Sequence, residues 1–434
     1  MTDLLGSGLS LPCGLVLPNR LAKAAMTEGL ADPHGRPTAE LQRLYRTWGE
    51  GGCGLLITGN VQVDADHLER AGNVVIATEP DDAMRAALQD YAAAARLGGS
   101  RIIMQLSHAG RQTPEPINPH PGAPSAIKVK APPVMPFGTP RALEEHEIAE
   151  VEDAFVRASR VARDTGFDGV QIHAAHGYLL SAFLSPLANR REDRFGGSLE
   201  NRAALLLSIV RRVREACPPP FAVSVKLNSA DFQRGGFDLS DSERVARWLD
   251  EAGVDLIEIS GGNYEQSAMM GDAGDNGPAG VGAQSRTAAR EAYFLAFAPR
   301  IRACLTTAKL MVTGGFRSRE GMVRAISNDG VDVIGIARPL VSHPSAAAAV
   351  LAGSDLPRIE DELRIGPGPF GPQSRFKLFK MLNVGGAQLW YYDQLERLGR
   401  GEGIDAKRRI LPAMRAYRRR DAEKLAAMQE ARRN

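Results

Sequence analysis

The chain has 434 residues, 44% of them hydrophobic and 24% charged, which is enough apolar material for a substantial core in one large domain or several small ones. A formal net charge of +2 leaves no strongly basic surface and so implies no nucleic-acid partner. Four cysteines (Cys13, Cys53, Cys217, Cys304) stand far apart without a CxxC pair, which argues against zinc, an iron–sulfur centre or a disulfide framework, and for free thiols in a reducing, cytoplasmic setting.

Glycine and proline interrupt the first twenty residues, and no charged leader precedes an unbroken apolar run. Neither a secretory signal nor a membrane span is expected there. Eight short apolar, β-branched runs then begin at Leu21, Gly54, Arg101, Gly169, Phe221, Leu256, Lys309 and Val331. Their near-continuous hydrophobicity marks strands buried on both faces, as in a parallel sheet. Segments starting at Ala149, Glu200 and Asp241 carry the spacing of amphipathic helices. Strand and helix alternating eight times predict a (β/α)8 TIM barrel over residues 1–345, with a doubly wound sheet as the alternative.

Two stretches exceed the simple repeat. Residues 113–141 are rich in proline, and residues 262–283 mix glycine, methionine and aspartate without periodicity. Both follow strands, so both are expected to rise from the C-terminal rim and cover a substrate. Residues 346–434 form an extension expected to be mostly helical and to pack on the barrel or on a second subunit, which makes a homodimer an expectation. Its basic end reads as a helix with Ile410, Leu411, Met414 and Tyr417 as the apolar stripe. Acids at Asp421, Glu423 and Glu430 oppose a membrane-surface role.

The densest polar stretch runs from Ile172 to Arg202. His173, His176 and Tyr178 fall on the turn leaving the fourth strand, where side chains point into the barrel mouth. Imidazole and phenol donors converging there can grip a substrate oxygen as it gains negative charge. The same trio could hold zinc, but no further Asp, Cys or His follows at a suitable spacing, and no metal site is expected.

This stretch resembles the signature of the old yellow enzymes and their relatives: FLSP from Phe183 to Pro186, NRR-x-D from Asn189 to Asp193, and GGS-x-ENR from Gly196 to Arg202. The resemblance extends over roughly residues 10 to 345 and includes LPNRLAKAAMTE, QLSHAGRQ and the glycine pairs near strands seven and eight. It implies a non-covalent FMN, NAD(P)H as electron donor, and reduction of a small-molecule activated alkene of the enone type. In that family the histidine pair holds the carbonyl or nitro oxygen, which maps to His173 and His176. The tyrosine two residues on protonates the α-carbon, which maps to Tyr178; its alternative is an aromatic packed over the flavin.

The resemblance also implies the cofactor residues. Lys226 lies near flavin N1 and O2, Gln105 near the pyrimidine edge, and Thr27 near O4. Ala25 and Met26 line the ring, Gly59 admits a close approach, and Gly314, Gly315, Ala337 and Arg338 hold the phosphate. Strand-end glycines and a guanidinium are suited to phosphate in their own right, although such glycines often only make turns. Ala24 and Ala25 depart from the serine and proline of many relatives, which leaves the backbone on that side of the flavin less defined. Gly366, Gly368 and Gly371 formally satisfy GxGxxG, but prolines fill the gaps and no βαβ unit surrounds them. NAD(P)H is therefore expected to use the same mouth as the alkene, with ping-pong kinetics.

Three other activities compete with alkene reduction. One is flavin-dependent demethylation of an N-methyl substrate. A Schiff-base lyase would use Lys226. A non-catalytic flavin sensor is the third.

Overall fold

The computed structural model describes residues 3–130, 136–262, 295–357, 363–366, 370–371 and 374–433. Eight strands form its centre: β1 (Leu21–Lys23), β2 (Leu55–Ile57), β3 (Arg101–Ser107), β4 (Gly169–Ala174), β5 (Ala222–Asn228), β6 (Leu256–Ser260), β7 (Lys309–Thr313) and β8 (Val333–Ile336). Each pairs in parallel with the next, and β8 returns to β1, so the sheet is a closed (β/α)8 barrel. Closure removes both sheet edges and leaves β-branched and aliphatic side chains buried on either face.

Two apolar layers follow. Outside the barrel, strand residues such as Leu56, Ile102, Val170 and Val225 pack against the helical ring. Inside, Leu9, Leu11, Leu15 and Leu17 cluster with Ala22, Leu55, Ile103 and Met311. A short hairpin, Leu9–Ser10 with Val16–Leu17, thus plugs the N-terminal end and leaves the opposite mouth for chemistry.

Several boundaries shift for local reasons. The helix expected from Ala149 spans Glu145–Asp164, because the Glu147 carboxylate accepts the Glu144 N–H at 2.8 Å and starts the first turn early. The run from Leu21 yields only three residues of strand. The run from Gly54 divides, and Val61–Gln62 adds a short pairing with Leu106 and Ser107. The described part of residues 113–141 is more structured than a bare loop: Pro114 bridges Phe137, and Gly122–Ala123 pairs with Arg141–Ala142. The loop after β6, beyond Gly262, lies outside the described residues.

The extension holds two long helices, Lys377–Arg400 and Ile410–Ala431, separated at Gly401 with φ of 79°. They contact one another, and Lys377–Arg400 also packs on the barrel's first helix, Ala39–Gly49. Buried Asp393 and Glu396 pair with Arg408, Arg420 and Lys424, and Lys424 Nζ also donates to the Gly29 carbonyl at 2.7 Å. The expected apolar stripe needs one correction. Ile410, Met414 and Tyr417 are buried at spacings of four and three, whereas Leu411 points away from that face and is 44% exposed. Among the described residues, no helix is long and apolar enough to cross a membrane.

Candidate active site

Strand register assembles the floor of the mouth. Gln105 on β3 stands opposite Gln171 on β4; His173 on β4 opposite Lys226 on β5; and Lys226 opposite Glu258 on β6. Gln105, Gln171, Ser224, Lys226 and Glu258 are all almost wholly buried. Such groups are tolerable only when mutually paired. Gln105 Nε2 donates to Gln171 Oε1 at 2.6 Å, and Gln171 Nε2 donates to Glu258 Oε2 at 2.9 Å. Lys226 Nζ lies 3.0 Å from Glu258 Oε1. Lys226 and Gln105 therefore each have a protein partner that the sequence reading passed over.

Above this floor the histidines touch. His173 Nε2 lies 3.2 Å from His176 Nδ1, and the Tyr178 ring packs edge-on against His173 with centroids 4.8 Å apart. His176 has φ of 62°, a left-handed conformation that costs a non-glycine residue about 1–3 kcal/mol and persists only where its surroundings over-determine it. They do. Its N–H donates to Asn228 Oδ1, its carbonyl accepts from Gln112, and its Nε2 lies 2.7 Å from Ser260 Oγ. Burial, reinforced by the Lys226 charge, depresses the His176 imidazole to about 3. Burial, then His176 and Lys226, holds His173 well below its ordinary value. Both rings are neutral at physiological pH, so they act through hydrogen bonds rather than charge.

On the β1 side, Ala25, Met26 and Thr27 leave the strand half-buried. Thr27 Oγ1 donates to Glu69 Oε2 at 2.7 Å, and Asn60 Nδ2 donates to the same oxygen. Behind them Lys23, fully buried, lies 3.6 Å from Glu28 and over the rings of Tyr45 and Trp48. Glu28 in turn accepts from the Gly59 N–H at 3.2 Å. Gly59 is required by the protein itself: a Cβ there would meet Glu28 Oε2 at 2.2 Å and the Met26 carbonyl at 2.4 Å. Its lack of a side chain thus serves the chain's own crossing as well as any ligand.

Gly314 and Gly315 end β7 with φ of 109° and 84°, conformations that only glycine adopts without strain. Ala337 and Arg338 end the neighbouring β8, and Arg338 is exposed at the rim. The Thr313 hydroxyl beside this corner is buried and has no partner among the described residues. An ammonium and two carboxamides on one side, with a glycine corner, a spare hydroxyl and a guanidinium on the other, fit the polar ring edge and phosphate of FMN.

A second imidazole cluster escaped the sequence reading. His67 and His108 stack with centroids 4.2 Å apart, and Asp64 lies 3.0 Å from His67 Nδ1 and 3.9 Å from His108 Nε2. The spacing would accommodate a metal ion. The tautomers oppose one. His67 Nε2 accepts the Gly122 N–H at 2.8 Å and His108 Nδ1 accepts the Gly110 N–H at 3.1 Å, so the nitrogens facing Asp64 carry the protons. The trio is a hydrogen-bonded brace between loops.

A closed parallel barrel with this mouth defines a barrel oxidoreductase that binds a flavin nucleotide. Residues 14–355 match the NADH:flavin oxidoreductase / NADH oxidase family, and the chain belongs to it. FMN is the cofactor and NAD(P)H the reductant, and the protein is an NAD(P)H-dependent oxidoreductase of the old yellow enzyme type. The chain is 38% identical to the NADH-dependent flavin oxidoreductase iliE of Hypocrea jecorina over 357 residues, 79% of this chain and 88% of that one. It is 36% identical to iccE of Talaromyces variabilis over 425 residues, 92% and 99% of the two chains. Among solved structures, morphinone reductase superposes with a TM-score of 0.66 at 27% identity, covering 82% of this chain and 92% of its own.

Proposed function

We propose that the protein reduces the carbon–carbon double bond of a small enone-type alkene. The observation that carries this reading is the contact of His173 with both His176 and Tyr178, on a strand whose His173 lies in register with Lys226 and whose Gln171 lies in register with Gln105. When bound, FMN supplies the hydride, taken from NAD(P)H and passed to the alkene β-carbon. Gln105 and Lys226 would hold its pyrimidine edge; Ala25, Met26, Thr27 and Gly59 would flank the ring; Gly314, Gly315, Ala337 and Arg338 would receive the phosphate.

The histidine pair holds the substrate carbonyl oxygen and stabilises negative charge as it develops there. Neutral imidazoles suit this role, since they give directed hydrogen bonds without a competing charge. Tyr178, packed against His173, delivers a proton to the α-carbon, and the buried floor keeps water from the reacting carbons. Steady-state kinetics with NADH or NADPH and cyclohexenone test this: the reading expects cyclohexanone as product and parallel double-reciprocal lines. Pyridine-nucleotide oxidation that no enone accelerates would count against it.

A further inference from the structure

Three of the turns that rim the mouth are held from outside by one helix of the C-terminal extension, Ile410–Ala431. After β1, the Gly29 carbonyl accepts from Lys424 Nζ at 2.7 Å. After β2, Arg70 donates to Tyr417 Oη at 2.7 Å, and Arg432, at the end of the helix, donates to the Ala65 carbonyl. After β3, the Pro116 carbonyl accepts from Gln429 Nε2 at 3.1 Å. Between these bonds Leu68, Ala71 and Met428 form an apolar cluster of their own, with Ile117 and Leu425 packed against it. Polar and apolar contacts thus fix the same three turns to the same helix.

The first two turns also cross one another. The Ala31 N–H donates to the Gly72 carbonyl at 2.9 Å, and a Cβ at Gly72 would meet the Gly29 carbonyl at 2.6 Å. The carbonyl that Lys424 holds therefore lies against the backbone of the next turn, and neither can shift alone. Arg70 carries the connection inward. Its guanidinium lies 4.0 Å from the Tyr392 ring centre, and Tyr392 stacks on Tyr417 with centroids 5.4 Å apart. Arg70 Nε is 3.7 Å from Glu69 Oε1, and the other Glu69 oxygen accepts from Thr27 at 2.7 Å and from Asn60. Of two consecutive residues, Arg70 faces the extension and Glu69 faces the mouth.

We infer that Arg70 is a positioning residue through which the C-terminal extension holds the flavin-facing rim, so that FMN binding and the docking of the helix Ile410–Ala431 are energetically coupled. The bonds of the helix fall on Gly29, Ala65, Arg70 and Pro116, outside residues 25–27 and Gly59, so the coupling runs through the turns. Such coupling is reciprocal: by whatever factor the docked helix raises FMN affinity, bound FMN must stabilise the docked helix equally. A part that merely helps the barrel to fold has no such obligation. The inference rests on the reading of Ala25, Met26, Thr27 and Gly59 as the residues that flank the flavin.

Hydrogen exchange of the full chain, followed by mass spectrometry without and with saturating FMN, tests it. In the wild type, FMN should slow exchange at residues 24–32 and 61–75, and also along the helix Ile410–Ala431, by about tenfold. Arg70→Met keeps the aliphatic stem but removes the guanidinium that joins Tyr417 to Glu69. It should bind FMN about tenfold more weakly and lose the FMN-dependent protection of the helix, while protection around Lys226 and Gly314 persists. Tyr417→Phe cuts the same link from the extension side and should reduce that protection in the same direction. A wild-type helix whose exchange is unaltered by FMN, although residues 25–27 become protected, would overturn the inference alone. So would an Arg70→Met protein with wild-type FMN affinity and an equally protected helix. FMN that bound without protecting residues 25–27 would overturn the reading of the flavin site, and the inference with it. Should Arg70→Met fail to fold, the wild-type comparison decides.

Discussion

Two imidazole pairs lie in this barrel, and their difference separates a structural site from a chemical one. In the pair His67 and His108, the outward nitrogens accept backbone N–H groups and the inward ones face a carboxylate. Those outward nitrogens are committed to the backbone and cannot be released to a ligand without unmaking the loops. In the pair His173 and His176, the ring partners among the described residues are side chains (Asn60, Ser107, Ser260, or the other histidine), and the contact between the two rings can open to a substrate oxygen without unmaking the backbone. The second pair also carries a strained backbone at His176, which the first lacks among the described residues. Proximity of histidines is uninformative; what matters is whether their partners can be given up.

Mutations can sharpen or break this contrast. The largest effect is expected at Tyr178: Tyr178→Phe should lower enone turnover by roughly 10²–10⁴-fold while leaving anaerobic flavin reduction by NAD(P)H nearly intact, as stopped-flow absorbance would reveal. Equal losses in both half-reactions would remove Tyr178 from the proton-donor role. At the other cluster, Asp64→Asn should cost about 1–3 kcal/mol in denaturant unfolding and leave turnover near wild type, because only a brace is lost. A collapse of activity in a well-folded Asp64→Asn protein would erase the distinction.

Acid titration provides a subtler probe. His176 and His108 are both held down to about 3, in each case chiefly by burial, against an unfolded value near 6.5. The unfolded chain therefore binds protons that the folded one refuses between those limits. Stability is complete above pH ~6.5 and is lost as pH falls through the window, by about 1.4 kcal/mol per unit for each histidine. Denaturant midpoints measured from pH 7 to 4 should decline accordingly, and His108→Asn should flatten the slope. A midpoint independent of pH would mean that these rings are not buried as neutral groups.

Much of this was legible in the sequence because the barrel strands are local, near-continuous apolar runs, and the run around His173 is one long motif. What escaped was non-local. Asn60 and Glu69 sit on the turns after β2 and look like ordinary surface polar residues; only the closed barrel brings them to His173 and Thr27. Lys23 reads as a solvated lysine until the helix Ala39–Gly49 lays Tyr45 and Trp48 against it. Glu258 was within reach, since a lone carboxylate in the run LIEIS asks for a buried partner, and Lys226 in VSVKLN asks the same question from the next strand. Within the extension expected to be mostly helical, the bounds of the helix Lys377–Arg400 stayed hidden because charged and aromatic residues are spread around it, with no single apolar stripe to betray a period.

The most direct test is a single turnover. Enzyme reduced under argon with one equivalent of NAD(P)H should regain its oxidised flavin spectrum when cyclohexenone is added, and in D2O the cyclohexanone formed should carry deuterium at the α-carbon. A flavin that stays reduced in the presence of the enone, yet reoxidises at once in air, would contradict the account.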